Sequence, residues 1–192
     1  MARVVVFHHA QGLTDGIRSF ADELRADGHD VTVPDLYDGA TFDSLDAGVA
    51  HAERIGFGTL VGRGRDAVDG GPAEVVYLGF SLGVLPAQML AQTRPGAQGA
   101  LLCHSCIPTA EFDVPWPQGV PVQIHAMGGD ELFRSDGDLD AARDIVASND
   151  DAELFLYPGD RHLFTDSSLA AYDRDAAALL NRRVRAFLAG IG

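Results

Sequence analysis

Lysine is absent from this chain; all 14 of its basic residues are arginine. That excludes imine chemistry on a lysine amine and a phosphate-cradling loop closed by lysine. Positive charge of any kind is scarce, because 28 Asp and Glu leave a net charge of -14. Such an excess repels polyanions and anionic bilayers, so neither nucleic acid nor a membrane is an expected partner. Long apolar runs are missing too. None approaches the roughly 20 residues that span a bilayer. Val4-Val5-Val6-Phe7, after Arg3, is too short for the core of a signal peptide and reads as a first strand. Cysteine is nearly absent. Cys103 and Cys106 form a C-x-x-C, but the Ile107-Pro108 that follows argues against the helix a thioredoxin-like motif opens. There is no second pair at zinc spacing. The reading is two thiols at a strand end in a reducing cytoplasm.

What is present suits one domain over residues 1–192 with a sizeable core, since 46% of the residues are hydrophobic. Short apolar runs alternate with longer amphipathic ones. The predicted strands are 3–8, 30–33, 74–78, 99–103, 122–126 and 152–157. Several are near-continuous Val, Ile and Leu, as strands buried on both faces require. Helices are expected over 14–27, over 45–68 (one or two, with a break near Gly56 and Gly58), 83–93, 138–147 and 169–189. Ile17, Phe20, Ala21 and Leu24 give the first of these its apolar face, and Gly28 stops it. The alternation predicts an α/β fold: a mostly parallel sheet of about six strands with helices on both faces. Ligands of such sheets sit beyond the carboxyl ends of the strands.

Gly79-Phe80-Ser81-Leu82-Gly83 lies where a strand meets a helix. A serine on that sharp turn takes a strained conformation, which flanking glycines permit by lacking Cβ atoms. The turn lifts the hydroxyl above the sheet beside the unpaired N–H groups of a helix start. A serine is a poor nucleophile unless a base takes its proton and a carboxylate orients that base. Asp130 and His162 follow Ser81 in the chain, each just past a predicted strand, in the order Ser, Asp, His. Glu131, Asp136 and Asp138 compete with Asp130, which the tight exit at Gly128-Gly129 favours. The expected oxyanion donors are the N–H groups of Leu82 and of Ala10, the latter in the loop His8-His9-Ala10-Gln11-Gly12.

Neighbouring residues of a strand point to opposite faces, so His8 and His9 do not read as joint metal ligands, and no metal site is expected. His9, Gln11, Tyr37, Arg134 and Trp116 are candidates for contacting a substrate. Trp116 and Phe112 could instead pin their loop to the core, and His104 and His125 read as structural or lining residues.

Five segments together resemble the dienelactone hydrolase (carboxymethylenebutenolidase) family. They are Phe7-His8-His9-Ala10-Gln11-Gly12-Leu13, Pro34-Asp35-Leu36-Tyr37-Asp38-Gly39, the serine pentapeptide, Met127-Gly128-Gly129-Asp130, and the run from Gly159 to Asp166 around His162. The resemblance covers nearly the whole chain. It implies a compact α/β-hydrolase fold without a large lid, cleaving a small ester or lactone without a cofactor through Ser81, Asp130 and His162. The sequence departs from the family pattern in three places. Serine stands where the family has its cysteine nucleophile, His9 where it has a glutamate, and Asp166 where it has an arginine that grips the substrate carboxylate. Two alternatives compete with a serine hydrolase: a non-catalytic binding module on the same scaffold, and a flavodoxin-like binder. The latter lacks a G-x-G-x-x-G after the first strand.

Overall fold

The computed structural model describes residues 1–191. Six strands, β1 (Arg3–Phe7), β2 (Asp30–Thr32), β3 (Val75–Phe80), β4 (Ala97–Cys103), β5 (Val122–Met127) and β6 (Ala152–Tyr157), form one sheet in the order β2-β1-β3-β4-β5-β6. Every pairing is parallel. The chain leaves β1 for β2 on one side and returns to β3 on the other. The direction of winding therefore reverses between β1 and β3, the place where an open parallel sheet forms a crevice.

Alternation within each strand feeds two cores. Val5 and Phe7 of β1, with Tyr77 and Leu102, pack under helices α2 (Leu45–Ile55), α3 (Phe57–Asp66), α4 (Val84–Thr93) and α6 (Asp138–Ser148). Val4 and Val6, with Leu78 and Leu101, pack under α1 (Asp15–Ala26) and α7 (Arg174–Gly190). Because both faces are covered, β3 and β5 are buried at every residue; β3 is apolar throughout, while β5 also buries Gln123, bonded to Glu153, and His125, bonded to the Tyr157 hydroxyl. A short helix, α5 (Glu131–Ser135), lies between β5 and α6.

The expected helix over 45–68 is two helices, divided at Gly56, whose φ of 90° a residue with a Cβ rarely adopts. The expected helix over 169–189 starts later, at Arg174. Asp173 caps it by accepting from the N–H groups of Asp175 and Ala176, and Ser168 is committed to Asp166 instead. The two cysteines are unbonded and buried in different cores, Cys103 on the α1/α7 side and Cys106 on the other. Burial pushes both thiols up, which leaves them inert.

Three histidines are buried in this scaffold as neutral groups. Burial lowers His8 to about 4, outweighing its bond to the His9 carbonyl. Burial, and then the Arg183 guanidinium, lowers His125 to about 3. His104 lies well below 6.5, again mainly through burial. In the unfolded chain these groups titrate near 6.5, so below that pH the unfolded state binds more protons and stability falls. Each such histidine removes about 1.4 kcal/mol per pH unit until its folded value is reached. The urea midpoint is expected to drop steeply from pH 6.5 to 5, before most carboxylates titrate. His125→Leu should lower that slope by about 1.4 kcal/mol per pH unit, whatever its effect on baseline stability. A midpoint that stays flat over this range would contradict the neutral burial of these rings.

Candidate active site

The site is assembled from strand ends. β3 runs into Ser81, whose φ of 48° is left-handed, and the first helical turn follows at once. The glycines around it are sterically required. A Cβ on Gly79 would lie 2.4 Å from the Gly83 carbonyl oxygen, and one on Gly83 would lie 2.3 Å from that of Phe7. The elbow is thus pressed onto the end of β1, which brings Leu82 beside Ala10 on the wall of one cleft.

His162 hangs in the loop after β6. Leu163, at φ 59°, and the buried Phe164 anchor that loop. The Ser81 hydroxyl lies 2.8 Å from His162 Nε2, and His162 Nδ1 donates to Asp130 Oδ2 over 2.6 Å. With Nδ1 carrying the proton, Nε2 has its lone pair free for the hydroxyl. Asp130 is itself fixed. Its Oδ1 accepts the N–H of Leu132 at 3.1 Å and that of Phe133 at 3.5 Å, making it the N-cap of α5. The tight exit is real, since a Cβ on Gly129 would meet the Gly159 carbonyl oxygen at 2.8 Å. Glu131 takes no part in this relay, whereas Asp136 and Asp138 face the cleft.

Five residues expected at the substrate lie elsewhere. His9 is buried and donates through Nε2 to Asp166 at 2.7 Å, while its Nδ1 accepts the Gln11 N–H. Gln11 donates to the Phe42 carbonyl, and Tyr37 to that of Gly48. Trp116 is pinned to its own loop through the Val120 carbonyl, and Arg134 is exposed on α5. Four of the five are spent inside the protein: Gln11, Tyr37 and Trp116 each satisfy a backbone carbonyl, and His9 satisfies Asp166 and the Gln11 N–H. Asp166 also accepts from Thr14 and Ser168. Burial alone would raise its carboxyl, but the bonds from His9, Ser168 and Thr14 bring it down to about 2.

The cleft measures about 550 Å³. Its apolar wall comes from Leu45 and Val49 on α2 with Phe57 at the start of α3, helped by Leu85 and Ile107. None of these was singled out from the sequence, since scattered apolar residues on a helix carry no mark of what they face. His104, at φ 67°, lies under the cleft with Nε2 bonded to Thr165 at 2.8 Å and its ring 5.7 Å from that of His162. Buried Gln88 holds the adjoining loop by bonding both the N–H and the carbonyl of Ile107.

Gly48 sits inside α2, where glycine is costly, and a Cβ there would lie 2.1 Å from the Ala10 carbonyl oxygen. Gly48→Ala is expected to cost about 1–3 kcal/mol by forcing helix and loop apart. Gly62→Ala, on α3 with open space around its Cβ, should instead be neutral or stabilising by up to about 1 kcal/mol. Thermal melts of the two variants compare them directly; equal melting temperatures would refute the close approach.

A parallel sheet wound in this order, with a serine elbow after β3, defines the α/β-hydrolase class. The sequence model of the dienelactone hydrolase family matches residues 1–192, and the chain belongs to that family. No curated protein matches it. Among solved structures it is similar to a dienelactone hydrolase-like promiscuous phosphotriesterase, P91, from metagenomic libraries. The identity is 22%, with 100% of this chain and 87% of that one covered and a TM-score of 0.79. It is also similar to a thermophilic esterase from the planctomycete Thermogutta terrifontis, solved with propionate. There the identity is 16%, the coverage 100% and 84%, and the TM-score 0.68. Likeness at such identities concerns the fold.

Proposed function

We propose that the protein is a serine hydrolase that cleaves a small carboxylic ester or lactone through an acyl-enzyme on Ser81. The observation that carries this reading is the continuous relay from Ser81 Oγ to His162 Nε2 and from His162 Nδ1 to Asp130. Ser81 Oγ attacks the carbonyl carbon while His162 Nε2 takes its proton. The resulting oxyanion accepts from the N–H groups of Leu82 and Ala10, and each such donor is worth about 2.7–4 kcal/mol in the transition state. As the C–O bond to the alcohol breaks, His162 returns the proton to the departing oxygen. Water, deprotonated by the same imidazole, then releases the acid and restores Ser81. Asp130 accepts the hydrogen bond from Nδ1, keeps that proton on the imidazole throughout and stabilises the imidazolium of each half-reaction. A cleft of about 550 Å³ with an apolar wall suits a small ester.

A fluorophosphonate probe tests the nucleophile without knowledge of the substrate. Labelling of Ser81, confirmed by peptide mapping and lost in the folded His162→Ala protein, is the expected result. An unlabelled but folded wild-type protein would leave the scaffold as a binding module and end the acyl-enzyme reading.

A further inference from the structure

The cleft over Ser81 has charge of one sign only. From one side of the elbow, α2 contributes Asp46 and Glu53 beside Leu45 and Val49; from the other, the α5–α6 segment contributes Asp136 and Asp138 beside Leu132. Val49, Phe57 and Leu132 are three of the few large apolar side chains that remain substantially exposed, and all three border this cleft. No arginine lines it among the described residues. Arg161, near His162 in sequence, donates to the Tyr172 carbonyl instead. His104 is held neutral by burial, and its Nδ1 has no partner among the described residues. The position where the family pattern places a carboxylate-binding arginine is Asp166, which is sealed against His9.

Asp138 is a fixed member of this lining. Ser105 Oγ donates to its Oδ2 at 2.6 Å and the Cys106 N–H to the same oxygen at 3.1 Å, leaving Oδ1 for a ligand. Burial raises its carboxyl, against the lowering by these two bonds, as for a partly desolvated group beside a cavity. A carboxylate pinned in place discriminates by charge more sharply than one on a mobile chain, because no ordering is left to be done on binding.

We infer that this cleft selects its ester by charge: it takes an apolar substrate without a carboxylate, and prefers a cationic nitrogen to the isosteric neutral carbon. The inference deepens the serine hydrolase reading and rests on it for the chemistry, though not for the binding. An anionic lactone meets like charge on both sides of the opening, from the exposed Asp46, Glu53 and Asp136 and from the half-buried Asp138. A trimethylammonium or amino group meets Asp136 and Asp138 on one side and Asp46 and Glu53 on the other, with apolar walls for its alkyl part.

Two isosteric pairs read the preference as ratios internal to each protein. Butanoylcholine is expected to exceed 3,3-dimethylbutyl butanoate in kcat/KM by about tenfold, and mono-p-nitrophenyl glutarate to fall at least about tenfold below p-nitrophenyl 5-methylhexanoate. Both ratios should move toward one in the Asp136→Asn/Asp138→Asn protein and in 0.5 M salt. The Ser81→Ala protein separates binding from chemistry by calorimetry. It should hold 4-phenylbutyltrimethylammonium about tenfold more tightly than 5-phenylpentanoate. Equal binding of the two probes, tighter binding of the carboxylate, or no binding of either would overturn the charge preference. Inert neutral esters with a retained cation preference in Ser81→Ala would overturn only the hydrolytic reading.

Discussion

Ser81→Ala is expected to lower turnover of a good ester substrate by about 10⁶-fold, and His162→Ala by a similar factor. The two losses should not add, because hydroxyl and imidazole act as one unit joined by a 2.8 Å hydrogen bond. Without the base, the hydroxyl keeps its proton at neutral pH; without the hydroxyl, the base has only water to activate. What survives, about 10³–10⁴ over the uncatalysed rate, would come from the Leu82 and Ala10 donors and from holding the ester in the cleft. Alanine at 81 inherits the left-handed φ of 48° that serine already tolerates, so the fold should persist. Single-turnover kinetics and a thermal melt on the same preparation settle the matter. A folded Ser81→Ala protein within tenfold of the wild-type rate would show that another group performs the attack.

Asp130→Asn is the second large effect, with an expected loss of about 10⁴ in kcat. The carboxylate does two jobs through its two oxygens. Oδ1 caps α5, and asparagine caps a helix as well as aspartate does, so the melting temperature should hardly change. Oδ2 accepts the Nδ1 proton of His162, and there the amide fails. An amide nitrogen turned toward Nδ1 drives the proton to Nε2, where it blocks acceptance from Ser81. An amide oxygen in the same place no longer carries charge against the imidazolium. Asp130→Ala adds the loss of the cap, about 1 kcal/mol of stability. The pair of variants therefore splits the roles: the same fall in kcat in both, with a lower melting temperature only for alanine. Asparagine retaining more than a tenth of the activity would mean that one of the other acidic residues near the cleft orients the base.

Much of this arrangement could be read from the chain as written. Strand order along the sequence, the elbow and the downstream Asp and His each carry local marks: a glycine that a Cβ would drive into the backbone, an apolar run ending at a polar residue, a Gly-Gly exit. Two of the three departures from the family pattern look unrelated when they stand at positions 9 and 166. In three dimensions they are each other's partners, a buried imidazole against a buried carboxylate at 2.7 Å. Nothing local to either residue tells of the other, and so His9 reads from the sequence as a residue that contacts substrate. Gln11, Tyr37 and Trp116 carry the same ambiguity, and in the fold each bonds a backbone carbonyl. A polar or aromatic side chain near a strand end can serve a ligand or the backbone, and only the neighbours brought by distant segments decide which.

From residue types and their spacing alone follow the α/β layering, a site beyond the carboxyl ends of the strands, and the serine, aspartate and histidine placed there, because period, turn geometry and chain order act over a few residues at a time. The reversal of winding beside β1 comes from the strand order of the folded sheet. The shape and charge of the cleft are of another kind. α2 comes to rest on the Ala10 carbonyl through Gly48, and the α5–α6 segment swings Asp136 and Asp138 in from beyond β5. Their meeting depends on packing between segments some ninety residues apart, and it is packing that turns scattered carboxylates and apolar side chains into a wall with a preference.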